Sequence, residues 1–176
     1  MAEPLNRELA RRLGVWIEGE PAPKPLTRLD HALHWARAGV HVFPGEPHLG
    51  RPWVKHWRAD ATTDAEKIKA WWAQPEDDGH DWYHADIGAV PEKSGHFVLT
   101  AHAEQGGLVA LAELEEEFDG FAGAAFDYCD RWGSRFVWFK GEAVTSHNEL
   151  GHGVHVLGPG HFVFMPPSLT PHFNFD

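Results

Sequence analysis

The amino-acid sequence predicts an α+β fold, because helix-like and strand-like segments are mixed along most of the chain. Apolar side chains recur at helical spacing from residue 27 to residue 38, and an apolar run at 40–44 has the pattern of a buried strand. The second half contains strand-like runs at 135–139, 153–157 and 161–165. We therefore expect a helix-then-strand opening joined to a strand-rich second half.

The first residues are predicted to lie outside the main domain. Residues 4–20 have the pattern of a short helix, and the proline-rich residues 21–25 cannot continue it. We therefore divide the chain into an N-terminal helix and connector at 1–26 and one domain at 27–176.

The middle of the chain contains two predicted helices and a predicted hairpin. Thr63 is expected to cap a helix whose apolar face includes Trp71 and Trp72, because Glu66 stands at capping-box spacing. Residues 86–90 and 96–100 are strand-like and are separated by a turn, which is typical of a hairpin. An amphipathic helix is expected at 108–118. The two tryptophans are interpreted as core residues.

Composition excludes several classes of protein. The chain has 176 residues, of which 43% are hydrophobic, so a folded domain is expected rather than disorder. Its apolar runs are too short for a membrane helix, and we expect a cytoplasmic protein that does not bind a membrane. The lone Cys129 cannot form an internal disulfide and is interpreted as a small buried hydrophobe. A net charge of −11 disfavours strong binding to nucleic acid.

Several strings, in order along the chain, resemble one known family. Residues 32–44 resemble the opening of the bifunctional DNA primase-polymerase domain of the archaeo-eukaryotic primase superfamily. Residues 86–88 and 94–99 are similar to two of its strands, and residues 133–139 and 153–156 to two more. The resemblance implies an N-terminal αβ module packed on a ferredoxin-like or RNA-recognition-like sheet, in a phage or plasmid replication protein.

The resemblance also implies where catalytic residues should stand, and this chain departs from the family at each position. Thr100, His102 and His155 occupy the positions of the family's metal-binding aspartates, and Phe136 replaces a histidine that faces the nucleotide. Carboxylates are the preferred ligands of hard cations. We therefore expect no bound magnesium, loss of ordinary magnesium-dependent polymerisation, and no catalytic residues of the family type.

A degenerate domain of this kind is expected to act as a binding or scaffolding unit. Its partners would be a nucleotide or single-stranded nucleic acid, bound weakly, and a replication helicase encoded as a separate protein. The N-terminal module and the sheet are expected to enclose a cleft. Ser134, Arg135 and Lys140 are the candidate nucleotide-binding residues, since they would lie near this cleft.

Two alternatives give the histidines a role. His102 and His155 could form a site for a transition metal such as zinc, joined by His152 or His161, and so support a different metal-dependent enzyme or binding protein. Residues 160–166 and 171–174 also resemble the second motif of the cupins, which are metal-binding barrels. The first cupin motif has no convincing counterpart, and the predicted helices fit a cupin barrel poorly.

Overall fold

The computed structural model describes residues 25–74, 81–118 and 120–168. Four α-helices lie in this part of the chain: α1 (Arg28–Arg37), α2 (Trp57–Asp60), α3 (Ala65–Trp72) and α4 (Gly107–Glu117). The strands are β1 (Val42–Gly45), β2 (Asp86–Ala89), β3 (His96–Ala101), β4 (Ala124–Cys129), β5 (Arg135–Lys140), β6 (Ser146–His147), β7 (Val154–Leu157) and β8 (Val163–Met165). The predicted α+β class is confirmed. The helix predicted for residues 4–20 lies outside the described residues.

The first sheet has three antiparallel strands in the order β1-β2-β8. Its centre depends on a glycine, because Gly88 of β2 stands opposite Phe43 of β1 and the phenyl ring occupies the space that a Cβ would need. Helix α1 is tied to the same strand by Arg28, whose guanidinium lies 3.5 Å from the fully buried carboxylate of Asp86.

Two helices begin at side-chain caps beside this sheet. Thr27 caps α1 in a complete capping box with Asp30, and the buried Ala32 and Ala36 face the core. Helix α3 is capped by Asp64, whose carboxylate accepts the amides of Glu66 and Lys67. The prediction that Thr63 is the cap was wrong by one residue. An aspartate side chain at the N-cap accepts hydrogen bonds from free backbone amides, and its negative charge interacts favourably with the positive end of the helix dipole.

The second sheet has five antiparallel strands in the order β4-β5-β3-β7-β6. Four of them follow the ferredoxin-like pattern, because β3 leads through α4 to the neighbours β4 and β5, and β7 returns to the other side of β3. Along the chain, the short strand β6 comes between β5 and β7, where that pattern has its second helix. In space, β6 lies at the edge of the sheet beside β7. The predicted α+β, primase-polymerase-like architecture is therefore present.

Each face of the second sheet packs against a different layer. Alternate residues of β3 and β5, including Leu99 and Val137, meet Leu111 of α4 in one apolar cluster. The opposite face contributes Val98 and Trp138 to a larger cluster. That cluster also contains residues of the first sheet, α1 and α3, among them Ala32, Val42, Ile68, Trp71, Trp72, Ile87 and Met165. The core role predicted for Trp71 and Trp72 is confirmed.

The sequence-based description of the middle of the chain needs several corrections. Strands β2 and β3 do not form a hairpin, because β1 and β8 already occupy both edges of β2 and the chain enters the second sheet at His96. Helix α2 and strand β4 were not predicted. Cys129, at the end of β4, is exposed rather than buried.

In the described part of the chain, no helix combines the length and apolar character needed to cross a bilayer.

Candidate functional site

The positions that sequence comparison singled out meet at the centre of the second sheet. Thr100 of β3 stands directly opposite Phe136 of β5 on one side and His155 of β7 on the other. His102 follows the end of β3, and its ring lies 5.0 Å from that of His155, centroid to centroid and edge to face. The four residues named by the resemblance therefore form one group on one face of the sheet.

All four side chains are buried. The exposed fraction is 0% for Thr100 and Phe136, 1% for His102 and 5% for His155. Phe136 belongs to the core cluster shared with the first sheet, and Tyr128 of β4 stacks on its ring at 5.2 Å. The four positions that the resemblance singles out are therefore buried inside the protein.

The donor set at these positions does not suit magnesium. Magnesium requires oxygen ligands, mainly carboxylates and water, in near-octahedral geometry, whereas this group offers one hydroxyl, two imidazoles and a phenyl ring. Glu104, the nearest acid along the chain, is exposed in the turn at Ala103–Gln105. Among the described residues, no three or more histidine, cysteine, aspartate or glutamate side chains are grouped so that they could hold a metal ion.

The buried histidines are held in the neutral form. Burial lowers the pKa of His102. For His155, burial together with the neighbouring His102, His147 and His152 lowers the pKa to about 4. Both imidazoles are therefore uncharged at neutral pH, since a low-dielectric site penalises the protonated ring and each neighbour repels a second positive charge.

A third histidine belongs to this group, and the sequence did not reveal it. His147 of β6 stands directly opposite His155 of β7, and the two Nδ1 atoms are 3.2 Å apart. Its signal was weak because β6 is two residues long, so only the register of the finished sheet shows which residue faces His155. His161 accompanies this group at 6.3 Å from the His147 ring, whereas His152 is exposed.

The predicted nucleotide-binding residues Ser134, Arg135 and Lys140 are not brought together. Ser134 is buried, and its hydroxyl accepts the amide of Ala103 at 3.3 Å, so it fastens the turn after β3. Arg135 stands opposite Ala101 and therefore lies on the α4 face of the sheet, away from Thr100. Its guanidinium makes 2.7 Å ion pairs with the carboxylates of Glu115 and Asp127.

Lys140 lies at the far end of β5, beside an open cleft. It stands opposite His96, which lines a cleft of about 420 Å³ together with Phe97, Arg58 and Lys93. This volume falls within the range of small-molecule sites, roughly 300–1,000 Å³. Arg58 is paired with Glu92 at 3.0 Å, and Lys93 donates to two backbone carbonyls. Lys140 is exposed and directly precedes Gly141, which lines the cleft together with Glu92 and Glu142.

Two comparisons with known proteins bear on the identity of this chain. A search of curated proteins gives no match. A family model for the N-terminal domain of bifunctional DNA primase/polymerases matches residues 32–174, which is most of the chain and includes both sheets. The protein therefore belongs to the bifunctional DNA primase/polymerase, N-terminal domain family.

Proposed function

We propose that this chain is a non-catalytic primase-polymerase domain that works as a binding or scaffolding unit in phage or plasmid replication. The observation that carries the proposal is the burial of Thr100, His102, Phe136 and His155, none of which is a carboxylate. Phosphoryl transfer of the two-metal type needs carboxylate-held cations beside the nucleotide phosphates. The absence of a carboxylate at these four positions supports the proposal.

Electrostatics support weak rather than strong binding of nucleic acid. The net charge of −11 repels a phosphate backbone. Many of the basic side chains are also paired with acids, which reduces the positive potential that they project. The pairs are Arg28 with Asp86, Arg51 with Glu46, Arg58 with Glu92, Lys67 with Asp60, Lys69 with Glu66, and Arg135 with Glu115 and Asp127.

The cleft beside Lys140 is the place where a nucleotide would bind in this proposal. Lys140 offers an exposed ammonium group next to the lining residue Gly141, and Phe97 offers an apolar wall against which a base can pack. The cleft lies at the start of β3, so it is separated from Thr100 by most of the length of that strand.

Primer synthesis is the direct test of the catalytic half of the proposal. The full chain, free of any tag, is incubated with single-stranded template and nucleotides in Mg²⁺ or Mn²⁺, beside an active member of the family. We expect no product from this chain with either metal. Template-dependent product that disappears in the His102→Ala variant would overturn the proposal, since it would show that the buried group still performs the chemistry.

Nucleotide binding tests the other half. A fluorescent nucleotide is titrated with the full chain, with Lys140→Glu, and with Lys55→Glu, which changes an exposed lysine elsewhere. We expect the parent chain to bind weakly. The affinity should fall at least about fivefold in Lys140→Glu, a loss of about 1 kcal/mol, and should be unchanged in Lys55→Glu. Equal affinity in the two variants would remove the nucleotide from the cleft beside Lys140.

A further inference from the structure

We infer that His147 and His155 form a two-histidine binding site for a late first-row divalent cation, with Cu²⁺ bound most tightly. The inference does not depend on the proposed function, because it uses His147, which the family resemblance did not single out. It also differs from the predicted pair of His102 and His155.

The first argument is the register of the sheet. His147 and His155 are directly opposite on antiparallel strands, so their side chains leave the sheet on the same face. The pairing fixes the two Cβ atoms at short range without help from a loop. A bidentate site of this kind needs little reorganisation on binding, because the strands already hold both ligands.

The second argument is the separation of the donor atoms. The Nδ1 atoms of His147 and His155 are 3.2 Å apart. Two nitrogens that each lie about 2.0–2.1 Å from one ion are about 2.8 Å apart at a right angle and about 3.3 Å apart at the tetrahedral angle. The observed distance falls between these values. His147 is exposed, so its ring can adjust its position to a bound ion.

The third argument is the accessibility of the ligands. The edge position of β6 leaves His147 open to solvent, so an ion can enter without unfolding the sheet. The buried His155 supplies a rigid second ligand.

The chemistry of the donors selects the metal. Two imidazole nitrogens favour borderline cations, and the affinity for these follows the order that peaks at Cu²⁺ and exceeds that for Zn²⁺ and Ni²⁺. Since the described residues contain no group of three metal-binding side chains, the ion would keep open positions for water or another ligand.

The test is a Cu²⁺ titration of the tag-free full chain by calorimetry at pH 7.5. The same titration is made with His147→Ala, which alters an exposed position, and with His56→Ala, which removes an exposed histidine at the start of α2. We expect one site per chain, an affinity reduced at least about tenfold in His147→Ala, and no change in His56→Ala. Circular dichroism of His147→Ala checks that the fold is retained.

Electron paramagnetic resonance at substoichiometric copper gives an independent readout. Two coupled imidazole nitrogens in the parent protein, and one in His147→Ala, are the expected result. The Nδ1 distance can also reflect a hydrogen bond between two neutral rings, in which one tautomer donates and the other accepts. In that case His147→Ala would bind Cu²⁺ as tightly as the parent, and this outcome would overturn the inference.

Discussion

Acid should destabilise this protein through His155 before its carboxylates are protonated. In the folded chain the pKa of His155 is about 4, whereas in the unfolded chain it returns to about 6.5. Between these pH values the unfolded state binds a proton that the folded state does not. The contribution of His155 to stability is therefore fully present above pH 6.5 and is lost as the pH falls towards 4.

The size of the effect follows from the two pKa values. Lowering a pKa from 6.5 to about 4 corresponds to about 3 kcal/mol when the pH is well below both, and to about 2 kcal/mol at pH 5. For a domain whose total stability is typically about 5–15 kcal/mol, this is a large fraction. His102 acts in the same direction, because burial lowers its pKa as well.

Urea denaturation at pH 7.5, 6 and 5, with a chelator present, measures this loss. The parent chain should lose about 2 kcal/mol between pH 7.5 and pH 5, and His155→Gln should lose clearly less, since glutamine does not titrate. The comparison between the two proteins cancels the contributions of groups that do not interact with His155. If His155→Gln shows the same dependence on pH as the parent, the proposed origin of the acid sensitivity is wrong.

Three further predictions concern packing and capping. Gly88→Ala should destabilise the fold by about 1–3 kcal/mol in thermal or urea unfolding, because the new Cβ would collide with the ring of Phe43. Asp64→Ala should cost about 1 kcal/mol of stability while Thr63→Ala costs much less, since Asp64 caps α3; equal costs would contradict the assignment. Thr100→Val should leave stability unchanged or raise it by up to about 1 kcal/mol, because the buried Thr100 hydroxyl has no hydrogen-bond partner among the described residues. A loss of more than about 1 kcal/mol would show that this hydroxyl is satisfied.

Local patterns predicted α1, α3, α4 and most strands, because the information lies within a few residues. The four-residue helix α2 was not predicted. Helix α1 was foreseen from the spacing of Ala32 and Ala36, both of which are buried. Strand β4 was missed because its residues are only partly buried or exposed, so its sequence lacks a strong apolar alternation. The false hairpin arose because adjacency along the chain does not show that both edges of β2 are already occupied.

The sequence predicted most members of the site but not their burial or the strand register around them. Thr100, His102, Phe136 and His155 could be chosen through the family resemblance, and the sheet does bring them together. Their burial results from packing between the two sheets, and no short stretch of sequence indicates it. The place of Arg135 on the opposite face follows from a strand register that a single sequence does not display.

The apolar cluster shared by the two sheets has a mechanical consequence. Val98 and Trp138 of the second sheet and Ile87 and Met165 of the first belong to one continuous core. A hinge between the sheets would have to expose that core to water at every opening, which the hydrophobic effect opposes. The two sheets should therefore unfold together, and their central amides should exchange hydrogen with a common free energy of opening.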